Sequence, residues 1–69
     1  MTRIPVTSSN VESVGYDQNT QTLEVEFKNG YIYQYFDVPK TIYNSMVNAN
    51  SAGKYLISNV KGVYRYARL

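Results

Sequence analysis

Apolar and polar residues alternate along the first half of the chain and recur at helical spacing along the second. The stretch "VESVGYD" puts Val14 and Tyr16 on one side, and "DQNTQ" then breaks the pattern with turn-forming residues. In "TLEVEF", Leu23, Val25 and Phe27 alternate with Thr22, Glu24 and Glu26, the period of a half-buried strand. Asn29-Gly30 follows, the dipeptide of a two-residue type I′ hairpin. It leads into "YIYQYF", with tyrosine at every second position.

A two-residue loop sets the register of this hairpin. Lys28 then lies opposite Tyr31, Phe27 opposite Ile32, Val25 opposite Gln34 and Leu23 opposite Phe36. That places the core on the Leu23, Val25 and Phe27 face. It places Tyr31, Tyr33 and Tyr35 on the other face, beside Glu24 and Glu26.

After Asp37 the period changes. Pro39 suits a first helical turn, and Ile42, Tyr43, Met46 and Val47 form an amphipathic stripe. Asn48 to Asn50 should end that helix. Ser51 is a fair N-cap for a second one carrying Tyr55, Leu56, Ile57 and Val60, with Gly62 as its stop. The closing "VYRYARL" alternates weakly and reads as a short strand or an extended arm. The expected architecture is α+β: a three-stranded antiparallel meander, two short helices packed on its apolar face, and a basic C-terminal tail or short strand. Residues 1–69 form a single domain.

At 69 residues the chain is near the lower limit for a self-supporting core. It has no Cys and no His, so neither disulfides nor a zinc site can supplement that core. Eight Tyr and two Phe supply aromatic area instead, and they make self-association plausible. The lack of Cys fits a reducing cytoplasm. No apolar run is long enough to span a membrane, and "MTRIPVTSS" lacks the apolar stretch of a signal peptide. Net charge is only +2, weak for a protein that neutralises many phosphates. The cations are nevertheless concentrated: Lys54, Lys61, Arg65 and Arg68 share a C-terminal stretch without an acidic residue, whereas Glu12, Asp17, Glu24, Glu26 and Asp37 precede it.

The segments "VGYD", "LEVEFKNG", "YIYQYFDVP" and "SAGKYL" run in the order and spacing of the KTSC domain. The chain resembles that family from about Val6 to Arg68, including its Y-x-Y mark, here Tyr31-Ile32-Tyr33 or Tyr33-Gln34-Tyr35. The family is named for its occurrence at the C-terminus of some lysyl-tRNA synthetases, and it also occurs as stand-alone proteins of bacteria and phages. This chain looks like the stand-alone form. The resemblance implies a cytoplasmic module for which RNA binding has been proposed. It implies no established activity and no agreed set of functional residues.

Catalysis is disfavoured, because without His or Cys there is no imidazole base and no thiolate nucleophile. Glu24 and Glu26 could form a glycosidase-like carboxylate pair, but a solvated strand face is the preferred reading. The dispersed acidic residues argue against a metal site. "NANSAGKY" is not a P-loop: Asn48 stands where the first Gly is required, and Tyr55 stands at the Ser/Thr position. Ser51, Ala52 and Gly53 could still offer N–H groups, with Lys54, to one phosphate; an ordinary helix start is the favoured alternative.

The tyrosines stabilise the hairpin, offer a stacking platform, or do both. In "YRYAR", Tyr64, Arg65, Tyr66 and Arg68 have the composition to hold a base and a phosphate. Tyr16, Tyr43 and Tyr55 are expected at core edges with their hydroxyls in solvent. The expected function is therefore non-enzymatic binding of a nucleotide-type ligand without a cofactor. The ligand-binding set is Tyr31, Tyr33, Tyr35, Glu24, Glu26, Lys54, Tyr64, Arg65, Tyr66 and Arg68. Carboxylates beside the tyrosines would repel a polyanion, which favours a small nucleotide held at a homo-oligomer interface, for instance a host signal sequestered by a phage protein. Single-stranded RNA or tRNA is the alternative, and a ligand-free homodimeric scaffold is the third.

Overall fold

The hairpin turn decides how the sheet is built. Phe27 N–H donates to Tyr31 O (2.8 Å) and Gly30 N–H to Phe27 O (2.9 Å), so the loop holds three residues: Lys28, Asn29 and Gly30. Gly30 alone takes the left-handed conformation, at φ +93°, and Asn29 does not. That is a tight turn closed by a glycine bulge rather than the two-residue I′ turn expected from Asn29-Gly30. One extra residue in the loop inverts the pairing. Leu23 lies opposite Tyr35, Glu24 opposite Gln34, Val25 opposite Tyr33 and Glu26 opposite Ile32. Tyr33 and Tyr35 thus share the face of Leu23 and Val25, and the expected outward tyrosine row is corrected.

The structure, a computed structural model describing residues 1–69, has five strands rather than three: β1 (Arg3–Pro5), β2 (Val11–Asp17), β3 (Thr22–Phe27), β4 (Ile32–Tyr35) and β5 (Tyr66–Arg68). They form one antiparallel sheet in the order β1-β2-β3-β4-β5. Helices α1 (Lys40–Val47) and α2 (Ala52–Asn59) lie between β4 and β5 in sequence. The C-terminal stretch is therefore a short strand, and it pairs with β4. The N-terminal β1, absent from the sequence reading, pairs with β2 through Arg3, Ile4 and Pro5.

A bulge between Val11 and Ser13 explains an irregular pattern in β2. It lets Val11 and Val14 both enter the core, although a regular strand would send them to opposite faces. Both are fully buried with Leu23, Val25, Val38, Met46 and Val60. Each such side chain contributes about 1.5–3 kcal/mol on leaving water. Tyr35 joins this cluster, whereas Phe36, expected opposite Leu23, does not. Tyr16 packs at the edge of the core, as expected. Its ring stacks on Tyr43 at 5.3 Å, and its hydroxyl donates to Val38 O.

Candidate functional site

The helices bury the β2–β3 half of one sheet face and leave much of the β4–β5 half open. Register carries the tyrosines across that open half. Tyr66 on β5 lies opposite Tyr35, and Arg68 lies opposite Tyr33. Ring centroids are 5.6 Å apart for Tyr33–Tyr66 and 5.9 Å for Tyr35–Tyr66, and Phe27 meets Tyr33 edge-on at 5.5 Å. The Arg68 guanidinium sits 4.7 Å from the centre of the Tyr31 ring, a cation–π contact. Tyr35 is buried at 4 % exposure, whereas Tyr31 and Tyr66 are 50 % and 62 % exposed. Burial pushes the Tyr35 phenol above its ordinary pKa, with Tyr33 and Tyr66 adding to it, so its hydroxyl stays neutral.

Between this aromatic face and α2 runs a groove of about 220 Å³. Its sheet wall is Phe27, Tyr31, Tyr33 and Tyr35, and its opposite wall is Leu56 and Ile57 of α2 with Lys61 in the turn that follows. Asn10 and Asn29 belong to its lining, their two loops joined by Lys28 N–H donating to Asn10 O at 2.9 Å. No carboxylate lines it, and its charged side chains are Lys61 in the lining and Arg68 over Tyr31.

Glu24 and Glu26, expected beside the tyrosines, occupy the opposite sheet face and are engaged there. Arg3 Nη1 donates to Glu24 Oε2 (2.7 Å), and Gln34 Nε2 donates to Glu24 Oε1 (2.9 Å). Ser13 Oγ donates to Glu26 Oε1 (2.9 Å), and Arg3 Nε lies 3.9 Å from the same oxygen. The Gln34 bond holds the Glu24 carboxyl below its ordinary pKa; Arg3 adds to this, and burial opposes it. The pair thus belongs to a hydrogen-bonded structural network with Arg3, Ser13 and Gln34.

The other sequence-derived residues scatter. Arg65 pairs with Asp37 (2.6 Å) and stacks on Phe36 (5.6 Å), away from the groove. Tyr64 is half-buried against the core. Lys54 lines a separate shallow depression with Tyr55. The α2 start is the ordinary helix start favoured from the sequence, with the N–H groups of Ala52, Gly53 and Lys54 taken by the chain itself. Ala52 N–H donates to Thr7 O (3.0 Å), Gly53 N–H to Ser8 Oγ (3.2 Å) and Lys54 N–H to Ser51 Oγ (3.3 Å).

Tyr31, Tyr33, Tyr35, Tyr66 and Arg68 are therefore the members of the expected set that the fold brings together. Asn10, Ile57 and Lys61 were missed. Only the exposed apolar Ile57 on an otherwise amphipathic helix carried a local signal, since the others join the groove through tertiary packing alone.

No helix is long and apolar enough to cross a membrane. A solved KTSC domain protein of Yersinia pestis superposes with a TM-score of 0.91 at 33% identity, over 99% of this chain and 96% of that one. A protein of Stutzerimonas stutzeri is 39% identical over all of this chain and 99% of its own length. A lysine–tRNA ligase of Nostoc sp. is 41% identical over 86% of this chain, which spans about a tenth of that enzyme's length. The profile of the KTSC domain matches residues 7–64. With five strands, two helices and the tyrosine segment falling inside or beside that span, the chain belongs to the KTSC domain family.

Proposed function

We propose that this domain is a non-enzymatic, cytoplasmic module that binds single-stranded RNA along the tyrosine groove. Bases stack on the exposed rings of Tyr31 and Tyr66, and Lys61 and Arg68 meet the backbone. The observation that carries this reading is a groove with aromatic walls, Lys61 in its lining, Arg68 over its Tyr31 ring and no carboxylate among its lining residues. Stacking contributes about 1–3 kcal/mol per base and tolerates any sequence. The electrostatic objection to a polyanion rested on Glu24 and Glu26 beside the tyrosines. The register removes that objection, since both carboxylates lie on the other face. Similarity to part of a lysine–tRNA ligase supports an RNA-related role, because that relative acts on tRNA.

Fluorescence anisotropy with a labelled single-stranded RNA tests it. Two phosphate contacts predict a shallow salt slope, d log K/d log [salt] of about −1.4. Tyr31→Ala and Arg68→Ala should each weaken binding about tenfold or more. Lys54→Ala, in the separate depression beside Tyr55, should bind as wild type. Absence of binding at low salt refutes the reading, as does binding that survives both groove substitutions.

The outer edge of β5 favours a second reading, a homo-oligomer that closes over a small nucleotide. β5 is the last strand of the sheet, and Val63, Tyr66 and Leu69 around it are more than half exposed. A 220 Å³ groove is below the usual range for small-molecule sites, about 300–1,000 Å³, so one chain alone encloses such a ligand poorly. Light scattering with and without mononucleotides separates the two readings. A monomer that binds RNA but no mononucleotide excludes the oligomer.

A further inference from the structure

We infer that Asn10 and Asn29 make the groove selective for keto bases, uracil and guanine-type rings, over the amino bases cytosine and adenine. This deepens the RNA reading and rests on it.

Both asparagines spend their side-chain oxygen on the chain itself. Asn29 Oδ1 accepts from Tyr31 N–H at 3.0 Å, and since a backbone N–H can only donate, the amide orientation is set. Asn10 is oriented through Ser8. The Ser8 hydroxyl oxygen accepts from the N–H groups of Asn10 (3.3 Å), Val11 (3.1 Å) and Gly53 (3.2 Å). Its own hydrogen remains to be donated, and it goes to Asn10 Oδ1 at 2.9 Å. In each case the NH₂ end is left for a ligand. Lys61 also brings only donors to the groove lining, as does Arg68 beside it. The tyrosine hydroxyls can act either way.

Donor-rich surroundings match a base whose exocyclic group is an oxygen. Uracil presents O4, and guanine or hypoxanthine presents O6. Cytosine and adenine carry an amino group at the same position. Two donors then face each other, and one loses its hydrogen bond on leaving water.

Four 12-mers labelled with fluorescein test this in anisotropy titrations at one fixed salt concentration: oligo(U) against oligo(C), and oligo(inosine) against oligo(A). Each pair keeps ring size constant and exchanges the exocyclic oxygen for an amino group. The keto member of each pair should bind about three- to tenfold tighter. N10D and N29D are isosteric. They keep the oxygen that Ser8 or Tyr31 uses and replace the free NH₂ with an acceptor. Both should lower affinity for all four oligomers through the added charge, while the U:C and inosine:A ratios fall to one or below. Thermal melting of both variants checks the fold, and if N10D melts early the ratios of N29D decide. Wild-type protein that binds all four equally overturns this inference and leaves the RNA reading standing. Ratios unchanged in the folded variants overturn the role of the asparagines. No binding to any oligomer overturns both readings.

Discussion

Replacing Gly53 with Ala pits helix propensity against packing, with opposite signs. In the first turn of an ordinary helix, Gly→Ala gains up to about 1 kcal/mol. At Gly53 a Cβ would overlap Asn10 Oδ1 and lie 2.6 Å from Ser8 Oγ. Asn10 is exposed, and its amide can swing away. Ser8 is less free, because its hydroxyl ties the N–H of Val11 to that of Gly53, 45 residues beyond Ser8 in the sequence. Relief therefore costs the Ser8–Asn10 bond, the Gly53–Ser8 bond and part of the Val11 bond. At about 1 kcal/mol each, these outweigh the propensity gain, for a net loss of about 1–2 kcal/mol. In a domain of this size that lowers Tm by about 5–15 °C. Thermal melting followed by circular dichroism reads it directly. Asn10→Ala should be less costly in the Gly53→Ala background than alone, by a coupling of about 1 kcal/mol, since the clash and the bond share one side chain. A Tm for Gly53→Ala equal to or above wild type refutes the packing argument.

Urea unfolding should separate the tyrosines by role. Tyr35→Ala removes a buried ring and should cost about 3–5 kcal/mol, close to the whole stability of so small a domain, whereas Tyr31→Ala should cost under about 1 kcal/mol. Equal costs would contradict the register. Glu24 predicts a pH dependence. Its folded-state pKa is depressed, so its stabilisation is complete above the ordinary Glu value of about 4.3 and is lost as pH falls below that value toward the folded one. Glu24→Gln should flatten that limb of the Tm–pH curve, and an unaltered limb would show that the Arg3–Glu24–Gln34 network does not hold β1.

Much of the fold was legible in local patterns. The strands over Val11–Asp17 and Thr22–Phe27 follow from alternation, and the two helices follow from spacing. Ser51 caps α2 as its residue type predicts, its hydroxyl accepting from Lys54 N–H. β1 was missed and β5 was left between a tail and a short strand, because three residues have too little pattern of their own; their pairing with β2 and β4 is what makes them strands.

The decisive ambiguity lay in Asn29-Gly30. Its chemistry suits a two-residue loop or a three-residue loop with a glycine bulge, and local propensity does not separate them. Tertiary packing separates them, because the longer loop sends Tyr33 and Tyr35 toward Leu23 and Val25 and lets Gln34 satisfy Glu24. Sequence alone determined that this protein has an antiparallel hairpin carrying a row of tyrosines, followed by two amphipathic helices. Which face those rings occupy was decided only when the whole chain packed, since a slip of one residue costs little in the turn but exchanges every side chain between core and solvent.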